Sequence, residues 1–399
     1  MNPPDPADAN RDAHQNSPGT EPAISGHERS KKRTRVGILF ASMLAVAVVS
    51  AGIGAAVAVA VHQPRSVTPT MITAPNGTSQ PVSGVPTGSI ETVAAKVVPS
   101  VVKLNTRQGR QTQEGSGIIL TADGLIITNA HVVSTAAGRG NPVGPGSPDT
   151  RVTFSDGRTA PFTVVGTDPA SDVAVVRAQG VSGLPAITLG SSANLRVGQQ
   201  VVAVGSPLGL QGTVTSGIIS ALNRPVSAVG DMSNRNTVLD AIQTDAAINP
   251  GNSGGALVNM NGELIGVNAA IATMNAGLAG GQGGSIGLGF AIPVDQAKRI
   301  ADSLIATGRA VHASLGVQVV DDPNIDGARI ATVTTAGPAA AAGLPTGALV
   351  TKLDDRVIGS ADALVAAVRS RAPGDKVSLT YVDPSGSTKT AQVTLGQAS

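Results

Sequence analysis

A mostly β, antiparallel architecture is what this sequence predicts, preceded by a membrane-spanning helix and followed by a smaller α+β unit. Three observations carry that prediction. Glycine and proline are abundant, at 49 and 26 residues. Short Val/Ile-rich runs recur at close spacing with turn residues between them, and no long helical pattern interrupts them before residue 293. The few aromatic residues are Phe40, Phe154, Phe162, Phe290 and Tyr381, so the core must be built from Val, Ile, Leu and Ala.

Length and charge bound the answer further. A chain of 399 residues has room for two or three domains. A net charge of +2 gives no reason to expect nucleic acid as a partner. The absence of cysteine excludes disulfides, thiolate catalysis and Cys-ligated zinc, and leaves the compartment open.

Residues 1–35 are polar, without apolar periodicity, and read as a disordered cytoplasmic tail ending in Arg29, Lys31, Lys32, Arg33 and Arg35. Residues 36–61 carry no charge and are long enough to cross a hydrocarbon core of about 30 Å. The basic flank places the N-terminus in the cytoplasm. A cleaved signal peptide is the rival, because Ala56-Val57-Ala58 and Ala58-Val59-Ala60 resemble cleavage sites. Either way the remainder lies outside the cytoplasm, on the far side of a lipid bilayer. Residues 62–89 are rich in Pro, Ser, Thr and Gly and read as a linker.

Compact sequence begins at residue 90, with a short helix over Ile90–Val98. Strands are predicted over Val101–Asn105, Gly117–Thr121, Leu125–Asn129, Arg151–Phe154, Val173–Ala178, Gln200–Val204 and Val214–Leu222. Asp123-Gly124 signals a two-residue hairpin. Thr135–Thr150 and Asn223–Asn236 read as surface loops. Leu264–Ile271 and Ile286–Ile292 resume the strand pattern around the Gly-rich, mobile-looking stretch 275–284. From Pro293 to Thr307 the period becomes helical, with Val294, Ala297, Ala301, Leu304 and Ile305 on one face and Gly308 just beyond. That helix closes a unit spanning 90–308. Residues 309–399 form a second unit, with strands over Leu315–Val320, Arg329–Val333, Ala348–Leu353 and Val377–Val382 and a helix over Ala361–Ser370. Arg329 and Lys352 read there as solvated charges.

The stretch with chemical content is Ile248-Asn249-Pro250-Gly251-Asn252-Ser253-Gly254-Gly255-Ala256-Leu257. A hydroxyl nucleophile needs a base and a set of oxyanion donors, and glycines let backbone N–H groups turn inward. A plain surface turn would use the same letters. Within 90–308 the one histidine is His131, in Thr128-Asn129-Ala130-His131-Val132-Val133. The base needs a carboxylate to hold its tautomer. Asp172, leading the apolar strand Val173–Ala178, is the best candidate, because an unpaired carboxylate drawn toward the interior would be costly. Asp168 is the runner-up, but it precedes Pro169 and reads as a turn former. The resulting chain order, His then Asp then Ser, is one of the known triad orders. The letters also satisfy G-x-S-x-G, the α/β-hydrolase elbow, but that fold requires a histidine after the serine. The candidate is His312, beyond the unit boundary.

These three blocks resemble the catalytic segments of the high-temperature-requirement (HtrA/Deg) serine proteases, and Gly287-Leu288-Gly289-Phe290-Ala291-Ile292-Pro293 resembles that family's closing strand. The likeness covers about 90–399. It implies a chymotrypsin-like double antiparallel β-barrel followed by one α+β PDZ domain. It also implies Ser253 as nucleophile, His131 as base, Asp172 as its orienter and the N–H groups of Gly251 and Ser253 as the oxyanion hole. Ala247 and Ile248 would line the specificity pocket; with no acid there, small or medium aliphatic side chains are expected. In the second unit Ser314-Leu315-Gly316-Val317 resembles a carboxylate-binding loop. Leu315, Gly316, Val317, Leu364 and Val368 would then take a C-terminal peptide as an added strand, although Leu364 and Val368 read equally as core.

The implied activity is a serine endopeptidase acting on unfolded or damaged polypeptides, needing no metal or organic cofactor. The competing reading is a peptide-binding sensor or chaperone whose proteolysis is incidental or lost. Family members form homo-oligomers, usually trimers held by aromatic contacts near the protease N-terminus. No aromatic lies between Phe40 and Phe154, which leaves the assembly open.

Overall fold

The computed structural model describes residues 88–137, 149–206, 212–228, 237–270, 287–322 and 324–398. The predicted tail and membrane span lie outside these residues, as do residues 62–87 of the predicted linker and the Gly-rich stretch 275–284. Among the described residues no helix is long and apolar enough to cross a membrane.

The chain enters through α1 (Ile90–Val97), capped where the Ser89 hydroxyl accepts the N–H of Thr92, with Val93 and Val97 buried. Seven strands follow: β1 (Val101–Gln108), β2 (Gln111–Ile119), β3 (Leu125–Thr128), β4 (Asp149–Thr153), β5 (Thr159–Ala160), β6 (Phe162–Asp168) and β7 (Val173–Ala178). A short helix α2 (Ser134–Ala137) lies between β3 and β4. The strands form one antiparallel sheet in the order β5-β4-β1-β2-β3-β7-β6. The Thr150 hydroxyl donates to the Phe162 carbonyl at 2.6 Å, tying β4 to β6. The Asp123-Gly124 hairpin is longer than its letters predict. Leu120 pairs with Leu125, and Gly124, at φ +99°, closes back onto Thr121, so four residues make the turn.

The second half is a closed barrel, β10-β13-β12-β11-β8-β9, built from β8 (Gln200–Gly205), β9 (Thr213–Ala228), β10 (Thr237–Thr244), β11 (Ala256–Asn259), β12 (Leu264–Ala269) and β13 (Gly289–Pro293). Here the predicted loop 223–236 is corrected over residues 223–228, and 229–236 lie outside the described residues. β9 continues to Ala228, pairing Ala228 with Thr237. A bulge at Leu222-Asn223, with Asn223 at φ +56°, carries the polar segment out of the barrel as a two-stranded ribbon. Polarity marked this segment as exposed, and exposed strands are polar too.

Helix α3 (Val294–Thr307), stopped by Gly308 at φ +72°, lies against β6, β7 and β12 and spans both halves. Its Val294, Ala297, Ile300, Ala301 and Leu304 join Ile127, Val173, Val175, Leu264 and Val267 in the central core. Ile305, predicted on the inner face, is 39% exposed, and Ile300 takes the inner position.

The C-terminal unit comprises β14 (Ala313–Ser314), β15 (Val317–Asp321), β16 (Ala328–Val333), α4 (Pro338–Ala341), β17 (Leu349–Leu353), β18 (Arg356–Val357), α5 (Ala361–Arg369), β19 (Lys376–Val382), β20 (Thr388–Thr394) and β21 (Gly396–Gln397). It has its own core, centred on Ile330, Val350, Leu353, Leu364, Leu379 and Val393. Arg329 is not a free surface charge: its guanidinium pairs with Asp322 and donates to the Gly347 carbonyl at 2.8 Å.

Polar contacts dock this unit on the closed barrel and on α3. Arg356 pairs with Asp240 at 2.8 Å, the two side chains 16% and 6% exposed, and donates to the Asn223 carbonyl at 2.9 Å. Arg299 donates to the carbonyls of Arg369 and Ser370, and Ser227 to Asp362. Removing one member of a buried pair leaves the other charge unpaired. Arg356→Ala is therefore expected to lower stability by about 3 kcal/mol, read as the thermal unfolding midpoint. Adding Asp240→Asn should recover part of that loss; an unchanged midpoint in the single variant would contradict the docking account.

Candidate active site

The three candidate residues sit on different elements, and the seam between the two halves brings those elements together. β3 ends at Thr128, whose hydroxyl donates to the Ser116 carbonyl of β2 at 2.6 Å. The chain then turns inward through Asn129, fully buried, whose amide donates to the Asp172 carbonyl at 2.9 Å. That pair delivers His131 to Asp172. The Asp172 carboxylate accepts the backbone N–H of His131 at 3.1 Å and faces Nδ1 through Oδ1 at 3.0 Å and Oδ2 at 2.9 Å. An ionised carboxylate only accepts, so Nδ1 carries the proton and Nε2 keeps a lone pair. Asp172 is 2% exposed and has φ +53°, a left-handed conformation that Asp tolerates better than most residues. Strained backbone of this kind persists where the surroundings over-determine it. Asp168, the runner-up, does not face His131: it accepts the Ala170 N–H at 3.2 Å and pairs with Nε2 of His312 at 3.0 Å.

Ser253 belongs to the loop between β10 and β11. Asn252 N–H closes on the Asn249 carbonyl at 2.9 Å, with Pro250 and Gly251 between and Gly251 at φ +97°. Pro followed by a positive-φ glycine makes a type II turn. Gly254, at φ +81°, donates to the Asn268 carbonyl; a Cβ there would run into the Ser116 carbonyl and the Thr128 hydroxyl. The loop is thus pressed against the segment that carries His131. The Ser253 hydroxyl accepts the Ala270 N–H at 3.1 Å, and no hydrogen bond joins it to His131. Among the described residues, neither the N–H of Gly251 nor that of Ser253 meets an acceptor.

Ser116 is the residue that sequence reasoning missed. Its N–H donates to the Ser253 carbonyl at 2.8 Å, and its hydroxyl donates to the Gly251 carbonyl at 2.6 Å while accepting the Ser206 N–H at 2.8 Å. One fully buried serine on β2 therefore fixes the carbonyls of both neighbours of Asn252. The available signal was a lone hydroxyl between Gly115 and Gly117, leading into an apolar strand.

The predicted pocket residues diverge. Ala247 is half-buried, its carbonyl accepting Thr215 Oγ1 at 3.0 Å and Asn252 Nδ2 at 3.3 Å. Ile248 is fully buried in the barrel core with Ile219, Ile242, Leu257 and Ile265, so it backs the site instead of presenting an open wall.

In the C-terminal unit, Leu315, Val317, Leu364 and Val368 line one cavity of about 230 Å³ between β15 and α5. Leu364 and Val368 also belong to the core, as their alternative reading expects. Gly316, at φ +68°, is not in the lining, and its N–H is taken by the Ser314 hydroxyl at 3.0 Å. Ala170 and His312 also line this cavity.

Comparison with known proteins follows the same division. A trypsin-like peptidase domain model matches residues 115–267, and a PDZ domain model matches residues 313–395. The chain is 64% identical over 371 residues to serine protease PepD of Mycobacterium tuberculosis, covering 92% of this chain and 80% of that protein. It is 38% identical over 290 residues to periplasmic serine endoprotease DegP of Salmonella typhimurium, of which it spans 56%. Among solved structures it resembles HtrA-type protease AlgW with a decapeptide, at 32% identity and a TM-score of 0.55, over 78% of this chain and 99% of that one. It also resembles a serine endoprotease from Yersinia pestis, at 30% identity and a TM-score of 0.51, over 79% of this chain and all of that one.

Ser116→Ala removes the hydroxyl donor from the Gly251 carbonyl at a buried seam. The expected loss of stability is about 1–3 kcal/mol, measured by denaturant unfolding, and a transition identical to that of the unaltered chain would contradict the clamp.

Proposed function

Because the chain belongs to the HtrA family of serine proteases, and so is a serine endopeptidase, we propose that Ser253, His131 and Asp172 are the residues that break the peptide bond. The observation that carries this is the hold of Asp172 on both the backbone and Nδ1 of His131, which leaves the Nε2 lone pair available as a base.

The steps follow from that geometry. The Ser253 hydroxyl leaves the Ala270 N–H by rotation about its χ1, a small move between staggered wells. His131 Nε2 then takes the hydroxyl proton as Oγ attacks the carbonyl carbon, and the carbonyl π pair moves onto oxygen. The N–H groups of Gly251 and Ser253 receive that oxyanion; their lack of acceptors and the type II turn at Gly251 support this role. Asp172 stays ionised and stabilises the imidazolium. Collapse of the intermediate expels the amine, which takes the proton from Nε2 and leaves an acyl group on Ser253. Water repeats the sequence, losing its proton to Nε2 and releasing the acid.

Ala247, with Ile248 behind it, forms the wall for the side chain before the cleaved bond and favours small or medium aliphatic groups. The substrates are unfolded or damaged polypeptides outside the cytoplasm. Residues 36–61 anchor the chain in the lipid bilayer, and the PDZ groove takes C-terminal peptides. The family assembles as homo-oligomers, and the same is proposed for this chain.

A fluorophosphonate probe tests the chemistry. It should label Ser253, fail on Ser253→Ala, and label His131→Ala roughly 100- to 10,000-fold more slowly. Labelling that survives loss of Ser253 would overturn the assignment. Mass-spectrometric mapping of cuts in a denatured protein mixture should find aliphatic residues before the cleaved bond; dominance of Lys or Arg there would sink the pocket reading.

A further inference from the structure

The C-terminal unit does not close everywhere on the barrel it docks against. A cavity of about 360 Å³ lies between them, far from His131 and Ser253 in the chain and sharing no residue with the groove between β15 and α5. The closed barrel and the first turn of α3 contribute Leu222, Asp240, Ile242 and Gln296, and the C-terminal unit contributes Leu353 and Arg356. A space of that size takes a small molecule.

Its polar groups are unevenly served. The cations in the wall are already paired: Arg356 holds Asp240 and the Asn223 carbonyl, and Arg371 holds Asp354 at 2.8 Å. Asp295, also in the wall, is held through Oδ2 by neutral donors, the Ser191 hydroxyl and the N–H and hydroxyl of Ser192. Two acceptors are left over. Asp240 Oδ1 and Gln296 Oε1 are buried and meet no donor among the described residues, and the residues that carry them are only 6% and 5% exposed. Buried polar atoms are normally hydrogen-bonded, so the unmet demand of this cavity is for donors. With the arginines neutralised and Asp295 facing no cation among its partners, that demand favours a positive donor. A divalent metal does not fit, because such ions gather several carboxylates, and no group of three acids or histidines that could hold one occurs among the described residues. Leu195, Leu222, Ile242 and Leu353 add an apolar lining.

We propose that this cavity binds a short aliphatic amine, whose ammonium donates to Asp240 Oδ1 and Gln296 Oε1 while its chain covers the apolar lining. An ammonium carries three donors and no acceptor, which matches a wall whose own donors are taken. Because the barrel and the C-terminal unit both supply groups, an amine bound there ties the two together and stabilises their docking. Exposed Asp295 suits the second ammonium of a diamine.

The test uses the full chain, with 1,4-diaminobutane as probe and 1,4-butanediol as its uncharged counterpart. Titration calorimetry near neutral pH should show the diamine binding roughly tenfold or more tightly than the diol, and only the diamine should raise the thermal unfolding midpoint. Gln296→Met keeps the volume and removes the acceptor, so diamine affinity should fall about tenfold. Gln296→Glu adds a carboxylate at the same place and should tighten diamine binding, a gain that a misfolded chain could not show. Equal binding of diamine and diol, diamine affinity unchanged in Gln296→Met, weaker binding in Gln296→Glu, or no saturable binding of the diamine each overturns the proposal.

Discussion

Three hydrogen bonds from Ser116 hold the chemistry of this molecule in register. β2 belongs to the first sheet and the Ser253 loop to the closed barrel, so nothing in either half alone sets the distance between histidine and serine. Ser116 does so by gripping the carbonyls of Gly251 and Ser253 and accepting from Ser206. With both carbonyls turned toward β2, the neighbouring N–H groups of Gly251 and Ser253 meet no acceptor among the described residues. The glycines make this approach achievable, because a side chain at Gly254 would collide with Ser116 and Thr128. The same contact that fixes the loop forbids any residue but glycine there.

The second constraint is the short turn 168–172. Its two aspartates look equivalent as letters and do different work. Asp172, at the mouth of β7, faces inward to His131, and Asp168 faces outward to His312 of the C-terminal unit. Together with the Arg356–Asp240 pair and the carbonyl contacts of Arg299, this makes the docking of the PDZ unit polar and directional. A docking surface of charged pairs is held by geometry as much as by area, since each pair broken strands a buried charge.

Much of this was legible in the sequence, for identifiable reasons. β7 was found at its bounds because Val173–Ala178 is apolar on both faces and opens on an aspartate. α3 was found from its period and its Gly308 stop, although Ile305 was placed inside because one face of the pattern is wider than the buried stripe. The ribbon through Asn223–Ala228 carries the composition of a loop, since composition reports solvent and not backbone conformation. β20 and the two-residue strands β14 and β21 carry too little alternation to register. At the site, His131 and Asp172 were legible by scarcity and by burial. Ser116 was not, because its partners lie 90 or more residues away. His312 lies beyond the domain boundary, and its pairing with Asp168 spans 144 residues, so no local pattern marks it.

The central claim is that the machinery stands assembled around a serine whose hydroxyl rests on Ala270 and need only rotate. The most direct measurement is a crystal structure of the chain inhibited by a peptidyl boronic acid with an aliphatic side chain. The account predicts boron bonded to Ser253 Oγ, one boronate oxygen on the N–H groups of Gly251 and Ser253, and the grips of Ser116 and Asp172 unchanged. A loop 249–254 refolded away from Ser116, or His131 detached from Asp172, would contradict it.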